Sequence, residues 1–193
     1  MANLDKKSLR KAYLERRKKL GEHFVLDASN QICDQLLESF GWTDQVTHVF
    51  LPMKKFNEPD IWPFIKALWK KEDIKVCTSI TDIERNELHH YELTSSTRLK
   101  KNGWGTDEPV DAREVEVTSI DRVLIPLLAY DAKGNRIGYG KGFYDRFLSS
   151  CKVGTEKIGL SFFPAEDHIE DIHEADIPLD FCVTPTKTYR FTK

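Results

Sequence analysis

The sequence predicts one α/β domain, a three-layer α/β/α arrangement around a mainly parallel (mixed) central sheet of Rossmann-like type. Three observations predict it. Apolar runs of strand character alternate with helix-period segments, the pattern of strands joined by crossover helices. Residues 122–128, with Val123, Leu124, Ile125, Leu127 and Leu128, form a nearly unbroken apolar run, as a strand buried on both faces requires. A glycine-rich turn over residues 136–144 follows that run and leads into a helix-like segment. At 193 residues, 40% of them hydrophobic, the chain has the size of one ordinary domain spanning 1–193.

The elements follow in order. Asp5 is placed to cap a first helix in which Leu9, Tyr13 and Leu20 recur near helical spacing and Lys6 and Arg10 sit one turn apart. Asp27 is expected to cap a second helix, with Ala28, Ile32, Leu36 and Phe40 on one stripe and Gly41 as its stop. Residues 46–51 read as a buried strand. Asp60 opens a third helix, where Pro63 is tolerated in the first turn and Ile61, Phe64, Ile65 and Leu68 face inward. Residues 74–78 and 88–93 read as strands, and a polar stretch then runs through Gly103, Trp104 and Gly105 to a turn-like Glu108-Pro109. The central strand ends near Pro126, and residues 131–135 form a polar turn. A helix carrying Phe143, Tyr144, Phe147 and Leu148 starts at Gly142, and residues 157–162 and 180–183 supply two more strands.

Composition narrows the function. Cys33, Cys77, Cys151 and Cys182 are scattered, with no zinc-type spacing and no disulfide framework, which fits reduced thiols in the cytoplasm. The basic first 19 residues lack the apolar core of a signal peptide, and no run approaches a membrane span, so no membrane partner is expected. A net charge of -2 argues against nucleic acid as a partner. Nothing marks an apolar interface, so a monomer is expected. His89 and His90 are neighbours on a strand and point to opposite faces, which rules out a close metal-holding pair. His168 and His173 sit among acids and read as surface residues.

The turn Arg136-Ile137-Gly138-Tyr139-Gly140-Lys141-Gly142-Phe143-Tyr144 can bring bare backbone N–H groups close to an anion at a helix start. The helix dipole contributes only about 0.3–1 kcal/mol at an exposed site, so a polyphosphate also needs full charges, which Arg136 and Lys141 supply. The spacing matches neither the dinucleotide fingerprint nor the Walker A pattern. On spacing alone it fits a phosphate loop and an ordinary tight turn equally well.

The segment from Ile125-Pro126-Leu127 through Asp131, continued by Gly134-Asn135-Arg136 to Phe147, closely resembles the signature of the 5-formyltetrahydrofolate cyclo-ligase family, also called methenyltetrahydrofolate synthetases. Weaker matches at residues 6–10, Leu51, Glu58-Pro59-Asp60, Trp104-Gly105 with Glu108-Pro109, and residues 174–180 agree with it in order and spacing. The resemblance implies an enzyme that uses ATP and Mg²⁺ to convert 5-formyltetrahydrofolate into 5,10-methenyltetrahydrofolate, releasing ADP and phosphate. It implies ATP contacts from Lys6, Lys7, Ser8, Leu9 and Arg10 and from the turn Arg136, Ile137, Gly138, Tyr139, Gly140, Lys141, Gly142, Phe143 and Tyr144. Within that turn, Arg136, Lys141 and Tyr144 would carry catalysis. Folate contacts would come from Leu51, Glu58, Trp104 and residues 139–143, and Mg²⁺ contacts from Asp145 and Asp176.

Read without the resemblance, Glu58 is a loop carboxylate, Trp104 a core anchor, and Asp145 a helix-dipole partner or a salt bridge to Arg146. Asp180 competes with Asp176 for the second metal position. The chain departs from the usual family pattern at Phe143, where Tyr is common, at Ile61 in place of a frequent Thr, and at His173 in a usual Pro position. The alternative functions are a non-catalytic relative binding nucleotide, folate or RNA, and a sugar-phosphate or coenzyme A enzyme of similar sheet architecture.

Overall fold

The computed structural model describes residues 5–103 and 105–192. Its helices are α1 (Lys6–Lys18), α2 (Glu22–Ser39), α3 (Trp62–Leu68) and α4 (Phe143–Ser150). The strands of the first half are β1 (Gln45–His48), β2 (Ile74–Asp82), β3 (Glu87–Glu92), β4 (Arg98–Lys101) and β5 (Asp107–Val110). Those of the second half are β6 (Arg122–Pro126), β7 (Ala129–Tyr130), β8 (Arg136–Ile137), β9 (Glu156–Leu160), β10 (Phe181–Val183) and β11 (Thr188–Arg190).

The main sheet runs β11-β10-β9-β6-β1-β2-β3, parallel from β10 to β2 and antiparallel at both edges, so the expected mixed, mainly parallel sheet is found. The apolar run at 122–128 takes the middle position as β6, between β9 and β1. It stops at Pro126, because the ring removes a ladder donor; Leu127 and Leu128 continue fully buried but outside the ladder. Side chains alternate across the sheet as strand geometry demands. Leu124, Val76 and Ile158 join Ile32, Leu36, Phe64 and Ile65 of α2 and α3 on one face, while Val123, Ile125 and Cys77 join Phe147 and Leu148 of α4 on the other. All four cysteines are unpaired. Among the described residues no helix is long and apolar enough to cross a membrane.

Several local expectations need correction. The second helix starts at Glu22 with Gly21 as its N-cap, and Asp27 lies inside it. Val25 N–H already donates to Gly21 C=O at 3.0 Å, and Asp27 pairs with His23 one turn back at 2.9 Å. The cap of α3 is Ile61, whose side chain is fully buried; Asp60 still accepts the Trp62 N–H at 3.0 Å. The strand placed at 46–51 ends at His48, though Val49, Phe50 and Leu51 stay buried beyond it. Glu108-Pro109 is no turn. It lies within β5, where Pro109 faces Leu99 of β4 in a two-stranded ribbon whose edges can accommodate proline.

The polar turn at 131–135 links β7 and β8 and is organised by Asp131, which is fully buried. Its Oδ1 accepts the N–H groups of Lys133 and Asn135, each at 2.9 Å, and its Oδ2 accepts Asn135 Nδ2 at 2.8 Å and the Ile169 N–H at 3.0 Å. Gly134 takes φ +85 there, and a Cβ on it would lie 2.9 Å from the Leu179 carbonyl oxygen.

A second polar cluster lies beneath β1, β2 and β3. Ser79 Oγ stands 2.7 Å from His48 Nε2 and 2.9 Å from His90 Nδ1, so its hydroxyl donates to one neutral ring and accepts an N–H from the other. Burial holds both imidazoles below the usual histidine range, His90 at about 4, and each is further disfavoured as a cation by a neighbouring histidine.

Two stability predictions follow from these features. Gly134→Ala combines left-handed backbone strain with a main-chain clash, and it should destabilise the fold by about 1–3 kcal/mol, read as a lowered urea midpoint. The buried histidines stay neutral while their unfolded counterparts protonate below about pH 6.5, so stability should fall as pH drops from about 6.5 to about 4. Urea titrations at pH 7 and pH 5 check this, with a smaller difference expected for His90→Gln; equal pH sensitivity in that variant would contradict the assignment.

Candidate active site

The site lies at the carboxyl ends of β1 and β6. These neighbours part company there: β1 continues through α3 to β2 on one side, and β6 through α4 to β9 on the other. Such a reversal leaves a crevice that neither connection covers. Residues 49–61 after β1, the glycine turn after β8, and α1 close it in. Helix α1 packs against β7, β8 and the short helical turn Lys54–Phe56. It is fixed at its start by Asp5, which accepts both the N–H and the hydroxyl of Ser8 at 2.8 Å.

The glycine turn is held by its carbonyls. Arg10 Nε donates to Gly138 C=O at 3.0 Å, and Arg146 donates to Lys141 C=O at 2.8 Å and to Asn86 C=O at 2.7 Å. Gly140 has φ +87 and Gly142, the N-cap of α4, has φ +68. A Cβ on either would lie 3.0 Å from a guanidinium atom, of Arg10 and of Arg146 respectively. The left-handed backbone favours glycine at both positions, and the guanidinium groups would have to shift slightly to admit a Cβ. Among the described residues, the N–H groups from Gly138 to Gly142 donate to nothing within the chain.

Further cations belong to the turn and to the elements beside it. The Arg136 side chain is 7% exposed, donates to Asp145 Oδ1 at 2.7 Å, and keeps a buried Nε with no partner among the described residues. Lys6 reaches the Asp176 carboxylate, and exposed Lys141 makes no ion pair among the described residues. Asp145 therefore pairs with Arg136, not with its neighbour Arg146. It also accepts the Ile177 N–H at 3.1 Å, which draws the Asp176 segment to the start of α4. Burial pushes the Asp176 carboxyl up, but the Lys6 hydrogen bond, the His173 N–H and nearby Arg136 outweigh it and hold the group below the usual range. Asp180 lies just before β10, at the amino end of a parallel strand, where Lys157 pairs with it at 2.6 Å. It is therefore at the wrong end of the sheet for the crevice. Among the described residues no group of three His, Cys, Asp or Glu side chains is arranged to hold a metal.

Glu58, 3% exposed, forms the other wall. Its Oε1 accepts the Tyr139 hydroxyl at 2.6 Å and its Oε2 the Met53 N–H at 2.7 Å. The Tyr139 oxygen in turn accepts from Arg17 at 3.0 Å, and Phe56 packs on its ring. Burial raises the Glu58 carboxyl above its ordinary value, against the pull of Tyr139, Met53 and Arg17. Burial likewise raises the Tyr144 phenol, with Glu58 adding to the rise and Arg136 opposing it, so that ring stands in the field of both walls.

The structure thus gathers Lys6, Arg10, Glu58, Arg136, residues 138–142, Tyr144, Asp145 and Asp176. Leu9, Leu51 and Ile137 belong to the core at 6%, 5% and 1% exposure, and they support the site through packing. Ser8 is spent on the helix cap, and Lys7 faces solvent. Half-buried Phe143 lies beneath the Arg146 guanidinium at 5.5 Å. Trp104 lies outside the described residues. Sequence reasoning missed Arg17. The signal was available, because Leu9, Tyr13 and Arg17 follow at intervals of four along one helix face, all three are buried, and a charge at the end of an apolar stripe needs a reason.

Known proteins share this fold. A solved structure of 5,10-methenyltetrahydrofolate synthetase from Aquifex aeolicus superposes with a TM-score of 0.79 at 30% identity, covering 97% of this chain and 93% of that one. The 5-formyltetrahydrofolate cyclo-ligase of Escherichia coli K12 is 29% identical over 138 residues, 70% of this chain and 76% of its own. That of Mus musculus is 32% identical over 145 residues, 65% and 70% respectively. The 5-formyltetrahydrofolate cyclo-ligase family model matches residues 2–185, nearly the whole domain and both walls of the crevice. By this match and the shared fold, the chain belongs to the 5-formyltetrahydrofolate cyclo-ligase family.

Proposed function

We propose that this protein converts 5-formyltetrahydrofolate into 5,10-methenyltetrahydrofolate with consumption of ATP. One observation carries the reading: a glycine turn whose amides have no partner among the described residues is braced by Arg10 and Arg146, lies in sequence between Arg136 and the helix that holds Asp145, and meets the buried Glu58 carboxylate through Tyr139. The first half of that arrangement suits a triphosphate, the second a ligand rich in N–H donors.

The reaction needs little from side chains as reagents. The formyl oxygen attacks the γ-phosphorus, drawing on the N5 lone pair, and ADP departs. N10 then attacks the formyl carbon, phosphate leaves with the former formyl oxygen, and the N10 proton is lost. Because the substrate supplies both nucleophiles, the protein works by alignment and by stabilising phosphoryl charge. In that scheme the amides of residues 138–142 hold the phosphate chain, Arg136 and Lys141 neutralise the transferring group, and Glu58 orients the folate through its remaining lone pairs. Tyr144, between the two walls, stays a neutral phenol and can only donate or accept a hydrogen bond.

Asp145 and Asp176 suit Mg²⁺ as it usually binds, through one or two carboxylates together with substrate phosphates and water. The ion would supply charge neutralisation and orientation of the phosphate oxygens. The four unpaired thiols support a reducing compartment.

Purified protein with Mg²⁺, ATP and 5-formyltetrahydrofolate should develop the near-ultraviolet absorbance of the methenyl product; folded protein that gives none would defeat the proposal. Lys141→Ala removes a charge-assisted phosphate contact, so KM for ATP should rise about 10- to 100-fold in the same assay. An unchanged KM would show that the turn does not bind the nucleotide.

A further inference from the structure

Arg17 is 1% exposed and, among the described residues, is the bulkiest of the fully buried side chains. A guanidinium so placed must be balanced, since an uncompensated buried charge is strongly destabilising. Its Nη2 donates to the Leu127 carbonyl at the end of β6, its Nη1 donates to the Tyr139 hydroxyl at 3.0 Å, and its Nε has no partner. Among the described residues no carboxylate forms a salt bridge with it; the negative charge reached through its hydrogen bonds is Glu58, one hydroxyl further on. The backbone carbonyl of Arg17 also accepts Asn57 Nδ2 at 2.8 Å, and Asn57 holds a left-handed conformation, φ +46, immediately before Glu58. One residue of α1 thereby ties together the end of β6, the glycine turn and the loop that carries Glu58.

We propose that Arg17 is a positioning residue for folate binding, which fixes the Glu58 carboxylate through the Tyr139 hydroxyl and supplies the buried positive charge that balances it. The inference rests on the reading of Glu58 as the folate-facing carboxylate. The ionisable groups around Glu58 are Arg17 on α1, Tyr139 in the turn and Tyr144 on α4. Of these, only Arg17 is positively charged at neutral pH. Without it, burial acts on Glu58 unopposed by a cation, and the carboxyl takes up a proton at higher pH. Lysine is no equal substitute, because a single ammonium lacks the planar fork that spans the Leu127 carbonyl and the Tyr139 hydroxyl together.

The test uses the full chain with Arg17→Met, Arg17→Lys and Glu58→Gln, and the double variant that combines Arg17→Met with Glu58→Gln. Arg17→Met should raise KM for 5-formyltetrahydrofolate about tenfold or more, leave kcat within about threefold, and move the acid limb of kcat/KM upward by about one pH unit. Arg17→Lys should restore part of each effect. With Glu58→Gln already present, Arg17→Met should add little to the folate KM. Unchanged KM and acid limb in both Arg17 variants, or effects that add fully to Glu58→Gln, would overturn the inference. If Arg17→Met fails to fold, Arg17→Lys carries the test. Carboxyl NMR titration of Glu58 without substrate separates the two readings: an unmoved Glu58 in Arg17→Met, or in Arg17→Lys where only that variant folds, defeats the role of Arg17, whereas a shifted Glu58 with no turnover defeats only the proposed reaction.

Discussion

The site depends on how the carbonyls of the glycine turn are held. A peptide unit is planar and trans, so its C=O and its N–H point in opposite directions. When Arg10 captures the Gly138 carbonyl, the Tyr139 N–H is turned the other way, and Arg146 does the same for Gly142 by capturing the Lys141 carbonyl. Side chains thus aim main-chain donors that have no partner of their own. Glycine is favoured at 140 and 142 because both positions hold a left-handed backbone, φ +87 and φ +68, and the same guanidinium groups lie close to where a Cβ would stand.

Helix α1 sets this geometry from the outside. Leu9 and Tyr13 fix it to the core, Arg10 reaches the turn from one flank, and Arg17 reaches Tyr139 from beneath. The sheet does the rest by parting its connections at β1 and β6, which brings the 49–61 loop and the glycine turn to the same crevice from opposite sides. The two walls are joined through Tyr139, which belongs to the turn by its backbone and to Glu58 by its hydroxyl.

Much of this was legible in the chain. The layered α/β class followed from alternating element types, the middle strand from an unbroken apolar run ended by Pro126, and the first helix from its Asp5 cap. Boundaries were harder where two signals competed. Asp27 looked like a cap, but the apolar stripe of α2 extends a further turn and took it into the helix. Pro109 looked like a turn because a proline in a strand is tolerated only where its missing donor faces outward, a fact that pairing reveals and composition does not. The glycine turn stood out in the sequence, but the partners that hold it did not. Arg17 and Glu58 lie 41 positions apart in sequence and meet only through a tyrosine 81 positions beyond Glu58, a contact no local pattern encodes.

The most direct measurement is an amide ¹⁵N–¹H titration of the labelled protein with Mg²⁺ and a non-hydrolysable ATP analogue. The account predicts the largest, saturable shifts at the main-chain amides of Tyr139, Gly140 and Gly142. Saturable binding that leaves those amides unmoved while resonances elsewhere shift would contradict it.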